Sequence, residues 1–490
     1  MKKKSLLMTF ILQLCVAGVS AQNYEPLLYW QAIDETTAAI TGFVWQQANV
    51  YLDDPTPLQT DIYIPSSVTD ENGTFTVTMI ADRAFSNTEW ITSVNMPATI
   101  RTIGVQAFAY SEDLTTITIP ESVVEIGDGV CWQCEKLTSA YIPSSVSIIP
   151  NLAFAGCIKL TDVFISAGVN VINYAAFKDC TALSGIMLPE GLQEIQYSAF
   201  DGCSSLESIH IPSTVTVMGN YYSTNVFTAC SNLQRITVHA ENPVYDSRND
   251  CNAIIKTDEA MLVTGCAATA FSSKLHIKRI GNSAFYKCEG LTDLHLPESI
   301  EGIGNSAFAK CQHLTNVTLP SYLTELGNEA FYECSSLTSI AIPEGVTSLA
   351  SGTFNYCSSL KTIYLPSTMN NIGSAFGYGN ALENIYCFAV QPPTLSSAFY
   401  TSNYENSILH VPSSAIATYK GKYPWYNFKN IVGMTGGELP VQGLFENSSS
   451  DASEFYTIDG RRTSVPSKGI HIIRRTDGTT QKVFIPSLRK

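Results

Sequence analysis

Hydrophobic positions along this chain recur on a long, fixed period rather than on a helical or simple alternating one. Residues 280–297 read Ile-Gly-Asn-Ser-Ala-Phe-Tyr-Lys-Cys-Glu-Gly-Leu-Thr-Asp-Leu-His-Leu-Pro, and the pattern returns at 303–320, 326–343 and 349–366. Phe285, Phe308, Phe331 and Phe354 are 23 residues apart each time; Phe85, Phe108, Phe154, Phe177 and Phe200 keep that spacing, with Cys131 where one phenylalanine is due. A fixed period of this length predicts a solenoid, in which each unit buries its apolar side chains only by stacking on its neighbours.

Within a unit the pattern is Ala-Phe-x-x-Cys-x-x-Leu-x-x-Ile-x-Ile-Pro, followed by Val-x-x-Ile. In Leu314–Pro320 the alternation sends Val317 and Leu319 inward and Asn316 and Thr318 outward, as a strand requires. The proline then ends the ladder, because it has no amide hydrogen to offer. Ala307, Phe308 and Cys311 fit one apolar face of a short helical turn on the return side.

The flanks depart from the repeat. Lys2, Lys3 and Lys4, an apolar run from Leu6 to about Val16, and Val19-Ser20-Ala21 predict a secretory signal peptide over 1–21. The run is short for a membrane-spanning helix, and in Leu12-Gln13-Leu14 a bulky leucine stands where a small residue should precede a lipidated Cys15. Residues 22–60 predict a β-rich N-terminal cap, with strands at Thr37–Trp45 and Asn49–Leu52. The solenoid then runs over 61–432, and Asn72-Gly73 marks a hairpin turn near its start.

Residues 240–279 break the rhythm and predict a hairpin insertion. Counting outward from its turn pairs Ile255 with Leu262 and Cys251 with Cys266, which makes those two cysteines the best disulfide candidates. Residues 389–432 predict a C-terminal cap with a short helix from Ser414 to Lys420 leading to Trp425 and Phe428. A Gly/Ser-rich linker follows over 433–453, and 454–490 predicts a small β tail of three strands.

Leu-x-x-Leu-x-Leu joined to Ile-Gly-x-x-Ala-Phe-x-x-Cys resembles the bacterial BspA-like leucine-rich repeat family, over roughly residues 60–430 and in about a dozen copies. The resemblance implies an α/β repeat solenoid: a curved, right-handed leucine-rich-repeat coil with a parallel β-sheet on one face. The asparagine ladder of other leucine-rich repeats is missing, as is usual in this class. Family members sit on bacterial surfaces, and some adhere to host matrix proteins or other cells, but the family fixes no ligand. The tail resembles the C-terminal sorting domain of type IX secretion cargo, although Pro486-Ser487-Leu488-Arg489-Lys490 departs from that pattern.

Charge sharpens this picture. The formal net charge of the 490-residue chain is −15, and cleavage after Ala21 would take it to −18 by removing three lysines. Residues 22–439 carry −21, whereas the tail from 440 carries +3. Nucleic acid is therefore not an expected partner, since that would need a basic face. No later segment is apolar enough to span a bilayer, so an exported protein at the cell surface, outside the cell or in the periplasm is expected.

Candidate chemistry is sparse. Nine cysteines (134, 157, 180, 203, 230, 288, 311, 334 and 357) share one repeat position, which predicts a column of buried thiols rather than disulfides. Cys131-Trp132-Gln133-Cys134 has redox spacing, but both cysteines fall in repeat slots and no βαβ context surrounds them. No His-Glu-x-x-His, Gly-x-Ser-x-Gly or phosphate-binding loop occurs, and the seven histidines are scattered. Neither catalysis, a metal nor a cofactor is expected.

The outward strand position carries Thr118, Tyr141, Phe164, Met187, His210 and Thr237 in successive coils. Stacking at about 4.8 Å gathers Tyr141, Phe164, Met187 and His210 into one column, and Tyr364 and Tyr386 into a shorter one. These are the candidate ligand-binding residues, because exposed aromatic columns concentrate binding energy. The sequence thus points to a binding protein for a protein or glycan partner, with a ligand-free periplasmic or envelope scaffold as the alternative. It leaves the oligomeric state open.

Overall fold

The computed structural model describes residues 26–45 and 61–434, apart from 221–224, 273 and 380, together with strand segments at 10–12, 454–457, 462–463, 469–474 and 480–485. The repeats form a β-solenoid with little helix. A typical coil has three sides: a strand of three or four residues, a two-residue strand, and a turn carrying the phenylalanine. Parallel pairing at one-coil offset joins the coils, as in Tyr141 to Phe164 on the first side and Ile149 to Ile172 on the second.

On the first side, strands Asp61–Tyr63, Ser93–Asn95, Thr116–Thr118, Ser139–Ile142 and Asp162–Ile165 make one parallel sheet. Ser339–Ala341, Thr362–Leu365, Asn384–Cys387, Ile408–Pro412 and Asn430–Met434 make another. The inward residues of the alternation, such as Ile117, Ala140, Ile340 and Ile363, are buried. The phenylalanines stack ring on ring along the axis: Phe285–Phe308, Phe308–Phe331 and Phe331–Phe354 are 5.1, 5.4 and 5.7 Å apart, with planes within 15°.

The turn side is not helical, contrary to the expectation from Ala307, Phe308 and Cys311. Two residues in the left-handed region bracket most of the rings, for example Ser306 (φ 52°) and Lys310 (φ 63°) around Phe308. This reverses alternate peptide planes, so the amides reach the next coil rather than back along the chain. The Ser306, Phe308 and Lys310 N–H groups donate to the carbonyls of Asn328, Ala330 and Tyr332 at 2.8, 2.8 and 2.7 Å. Glycine takes the second bracket at Gly202 (φ 78°), where a Cβ would also fall 2.2 Å from Asp179 Oδ1.

The cysteine column is buried, and its thiols are free; only Cys230 is partly exposed. Most of these thiols also have a polar role. Cys134, Cys180, Cys203, Cys311, Cys334 and Cys357 donate to the carbonyl of the preceding coil's phenylalanine at 3.0–3.2 Å.

A side-chain ladder does exist, in a different place from that of other leucine-rich repeats. The Oδ1 atoms of Asn282, Asn305 and Asn328 accept the backbone N–H of Asn305, Asn328 and Ser351 at 2.8, 2.9 and 3.1 Å. Asp82 and Asp128 do the same for Val105 and Asn151. The sequence pattern of the family hides this rung because it follows Ile-Gly rather than the long strand.

The insertion at 240–279 divides the interior. One apolar core runs from Leu28 to Cys266 and a second from Cys251 to Phe428. The hairpin is present, with Ile254–Lys256 antiparallel to Met261–Thr264 and Ile255 facing Leu262. The candidate disulfide between Cys251 and Cys266 is not formed. A register shift between Ile254 and Ile255 breaks the count outward from the turn, so the two buried thiols stay free and fall in different cores.

The ends are capped. Pro26–Ala32 and Thr37–Trp45 form an antiparallel pair, and the latter continues in parallel onto Gly73–Ile80. Ser67–Asp70 folds back on that strand through the Asn72-Gly73 turn, whose amides donate to Asp70 Oδ1 at 2.7 and 3.2 Å. Of the signal-peptide region only the strand Phe10–Leu12 is described, antiparallel to Pro26–Ala32. Residues 46–60, including the expected strand at Asn49–Leu52, and the linker from 435 to 453 lie outside the described residues. At the other end, helix Ile416–Gly421 packs behind buried Tyr419 and Trp425; Trp425 Nε1 donates to the Pro393 carbonyl at 2.7 Å. The tail is an antiparallel sheet of four strands rather than three, Arg462–Thr463 being the addition.

Candidate ligand-binding surface

The alternation that buries Ala140 and half-buries Val163 leaves Tyr141 and Phe164 on the outer side of the first sheet, directly paired in register. Their rings stack at 5.5 Å with planes 9° apart. Phe164 is 59% exposed, while Tyr141 is half-buried and its hydroxyl donates to Glu121. Glu121 also accepts from Ser144 Oγ at 3.2 Å, so the column is bordered by a carboxylate held in place.

Among the described residues Met187 is the most exposed large apolar side chain, at 83%. Its segment carries no strand, and the sheet ends at Asp162–Ile165 before resuming as the pair Ser208–Ile211 and Arg235–Val238. Gly185, two residues before Met187, has no side chain to pack on the neighbouring coils, which weakens a strand there. The four-residue column is therefore a stacked pair, an unladdered Met187, and a separate His210, whose Nδ1 lies 2.9 Å from Thr237 Oγ1.

The second column is better formed than its sequence suggested. Tyr364 pairs in register with Tyr386, and Tyr386 with His410. The Tyr364 and Tyr386 rings are 4.8 Å apart, and Tyr386 and His410 only 4.1 Å apart with planes 12° from parallel. His410 Nε2 is 3.0 Å from Asn384 Oδ1, which fixes the imidazole's orientation. His410 was absent from the predicted set because its coil is 24 residues on and lies in the cap. The outward place in Ile408-Leu409-His410-Val411-Pro412 was the available signal.

Among the described residues no group of three or more His, Cys, Asp or Glu is arranged to hold a metal ion. Burial pushes the Cys288 and Cys357 thiols up to about 12, so they do not supply nucleophilic thiolates at neutral pH. What the outer face offers is a rigid row of ring edges, hydroxyls and carboxylates.

The signature of the BspA type leucine rich repeat region matches residues 78–184, 147–249 and 278–416. The chain belongs to this BspA-type family. Among solved structures, this BspA-type protein is similar to a leucine rich cell surface protein from Faecalibacterium prausnitzii, at 26% identity and a TM-score of 0.52, over 73% of this chain and 92% of that one. It also shares its fold with the pneumococcal vaccine antigen PcpA, at 19% identity and a TM-score of 0.55, over 87% and 99% of the two chains. No curated protein matches the sequence. No helix of the BspA-type chain, among the described residues, is long and apolar enough to cross a membrane.

Proposed function

We propose that this protein is exported and acts without catalysis, binding a protein or glycan partner at the cell surface through its strand-lined face. The observation that carries the reading is the Tyr364–Tyr386–His410 row: three stacked rings on consecutive coils of a hydrogen-bonded sheet, partly exposed and already ordered. Preordered side chains lose little entropy on binding, so the contact energy goes into affinity. Tyr141 and Phe164 give a second anchor several coils away, and two anchors on one rigid scaffold suit recognition at several points. The cell-surface relative, the signal-like N-terminus and the sorting-like tail all support an outward route.

The test is to screen the full chain against immobilised extracellular-matrix proteins and a glycan array, then repeat with Tyr364→Ser/Tyr386→Ser and Tyr141→Ser/Phe164→Ser. A partner held by the strand face should lose about tenfold or more in affinity with either pair. Undiminished binding by both variants would remove the face from consideration. Resistance of the protein to protease shaving of intact cells, with no ligand captured, would favour the envelope-scaffold alternative.

A further inference from the structure

The coil that ends at Leu326 and the coil that begins at Gly327 are hydrogen-bonded on the turn side only. Their long strands, Asn316–Thr318 and Ser339–Ala341, lie in different sheets, and so do their short strands, Glu325–Leu326 and Ser348–Leu349. At the preceding boundary the Thr315, Thr324 and Gly327 N–H groups donate to the carbonyls of Thr292, Glu301 and Ile303 at 2.8, 2.9 and 2.9 Å. At the following one Lys361, Asn370 and Gly373 donate to Thr338, Thr347 and Leu349 at 2.9, 2.8 and 2.9 Å. The equivalent donors between them, Thr338, Thr347 and Ala350, make no backbone hydrogen bond to the coil before. The turn side holds, through Ser306, Phe308 and Lys310 to Asn328, Ala330 and Tyr332. Every other boundary between described regular coils keeps at least one strand ladder, even beside Gly185 and at Pro150, which has no amide to give.

The cause is a methyl group over an asparagine rung. The residue after the short strand is glycine at 304 and 327, and a Cβ there would fall 2.5 Å from Asn282 Oδ1 and 2.6 Å from the Asn305 amide nitrogen. Those glycines let each coil settle onto the rung beneath. Ala350 holds the same place above Asn328. The Asn328 Oδ1 still accepts the Ser351 N–H, but at 3.1 Å, against 2.8 and 2.9 Å in the two rungs before it. Asn173 and Gln196 also carry side chains in this slot, and among the described residues no asparagine rung lies beneath them. Their amides donate to Ile149 and Ile172 at 3.0 and 2.8 Å. It is the side chain over a rung that parts the ladders.

We infer that this boundary is a hinge: the coils from Gly327 to the C-terminal cap swing as one body on the turn-side hydrogen bonds, opening and closing the two strand sides. An interface that keeps one of its three hydrogen-bonded sides opens at lower cost than its neighbours, and a few residues at the junction then absorb the motion. Tyr141 and Phe164 stand on one side of the hinge, and Tyr364, Tyr386 and His410 on the other, so its angle sets the separation of the two candidate anchors. That consequence rests on the role proposed for the strand face; the hinge itself does not.

The experiment is amide-resolved hydrogen exchange on the full chain with no partner present, so its outcome is separate from that role. Thr338 and Thr347 should exchange about threefold to tenfold faster than Thr315, Thr324, Lys361 and Asn370, the factor that one hydrogen bond is worth. Ala350→Gly removes the methyl and should bring both amides to the protection of their equivalents. Gly327→Ala sets the same methyl over the Asn305 rung and should open the preceding boundary, with faster exchange at Thr315 and Thr324 and none at Lys361 and Asn370. A disulfide between Thr318→Cys and Ala341→Cys, which adjacent strands bring within reach, closes the long-strand side. It should also slow exchange at Thr347 on the other strand side, because a hinge moves both sides together. Thr347 unchanged by the staple would show local fraying and overturn the inference. So would native Thr338 and Thr347 as protected as their equivalents, or exchange that Ala350→Gly leaves unaltered.

Discussion

Cys311 Sγ lies 3.1 Å from the carbonyl oxygen of Phe285, one coil earlier in the stack. The thiol is fully buried, and so is the ring that precedes the carbonyl. The cysteine therefore does two things at this position: it fills a small apolar space and gives a carbonyl its donor. The chain contains its own substitution. Ser111 occupies the same slot two coils after the first strand, is equally buried, and donates to the Phe85 carbonyl at 2.8 Å. Cys311→Ala should cost about 1–3 kcal/mol, the penalty for leaving a buried acceptor unpaired. Cys311→Ser should cost clearly less. Urea unfolding of both variants checks this; equal losses would mean that the thiol matters for packing alone.

Alkaline pH should unfold the protein through its buried thiols. Burial holds Cys251 and Cys387 up at about 11 and Cys288 and Cys357 up at about 12. In the unfolded chain each titrates near the ordinary thiol value of about 8.5. Between those values the folded state keeps protons that the unfolded state loses. The contribution is therefore complete below about 8.5 and declines as pH rises through the folded values. Thiolate absorbance should stay low in the native protein at pH 9–10 and rise together with the loss of circular dichroism. Thiolate appearing well before unfolding would contradict the buried column.

The solenoid, the caps and the hairpin were legible because each rests on periodicity or on local turn chemistry. Phe308 and Phe331 announce a stack simply by spacing, and Asn72-Gly73 announces its turn. Features set by register or by distant contact were not. The shift at Ile254–Ile255 that parts Cys251 from Cys266 leaves no mark on the hydrophobic pattern. The expected helical turn failed because Ser306 and Lys310 take left-handed conformations that neither residue type advertises. The candidate site was legible where its strand survives, at Tyr364 and Tyr386, and was misjudged at Met187, where Gly185 removes the strand.

The asparagine rungs give a prediction that tests acceptor chemistry directly. Asn305 Oδ1 receives the N–H of Asn328, and Asp82 and Asp128 serve equivalently in earlier coils. Asn305→Asp keeps an acceptor and should be close to neutral. Asn305→Ala removes it, and because this turn is near water the freed amide can be resolvated, so the loss should be about 0.5–1.5 kcal/mol. Hydrogen exchange should report it locally, as faster exchange at Asn328 in the alanine variant only. Unchanged exchange at that amide would show that the rung is incidental.

Asn225 is the polar joint across the break in the solenoid. It is 2% exposed. Its Nδ2 donates to the carbonyls of Ser283 and Ala284 at 2.9 and 3.3 Å, and its Oδ1 accepts from Phe227 N–H and Thr264 Oγ1 at 2.9 and 3.0 Å. These bonds tie the last coil before the insertion to the hairpin and to the first coil after it, where the phenylalanine stack is interrupted between Phe227 and Phe285. Replacing the side chain with alanine leaves two carbonyls, one amide and one hydroxyl without this partner, and should cost about 2–5 kcal/mol. The cost falls on the contact between two cores rather than within either one. Repeat arrays lose cooperativity when a single interface is weakened, so Asn225→Ala should broaden or split the urea transition. Amide protection should fall first at Phe227 and Ala229, while the coils around Phe154 and Phe331 hold theirs. A single sharp transition at the native midpoint would show that the two cores are coupled by other contacts.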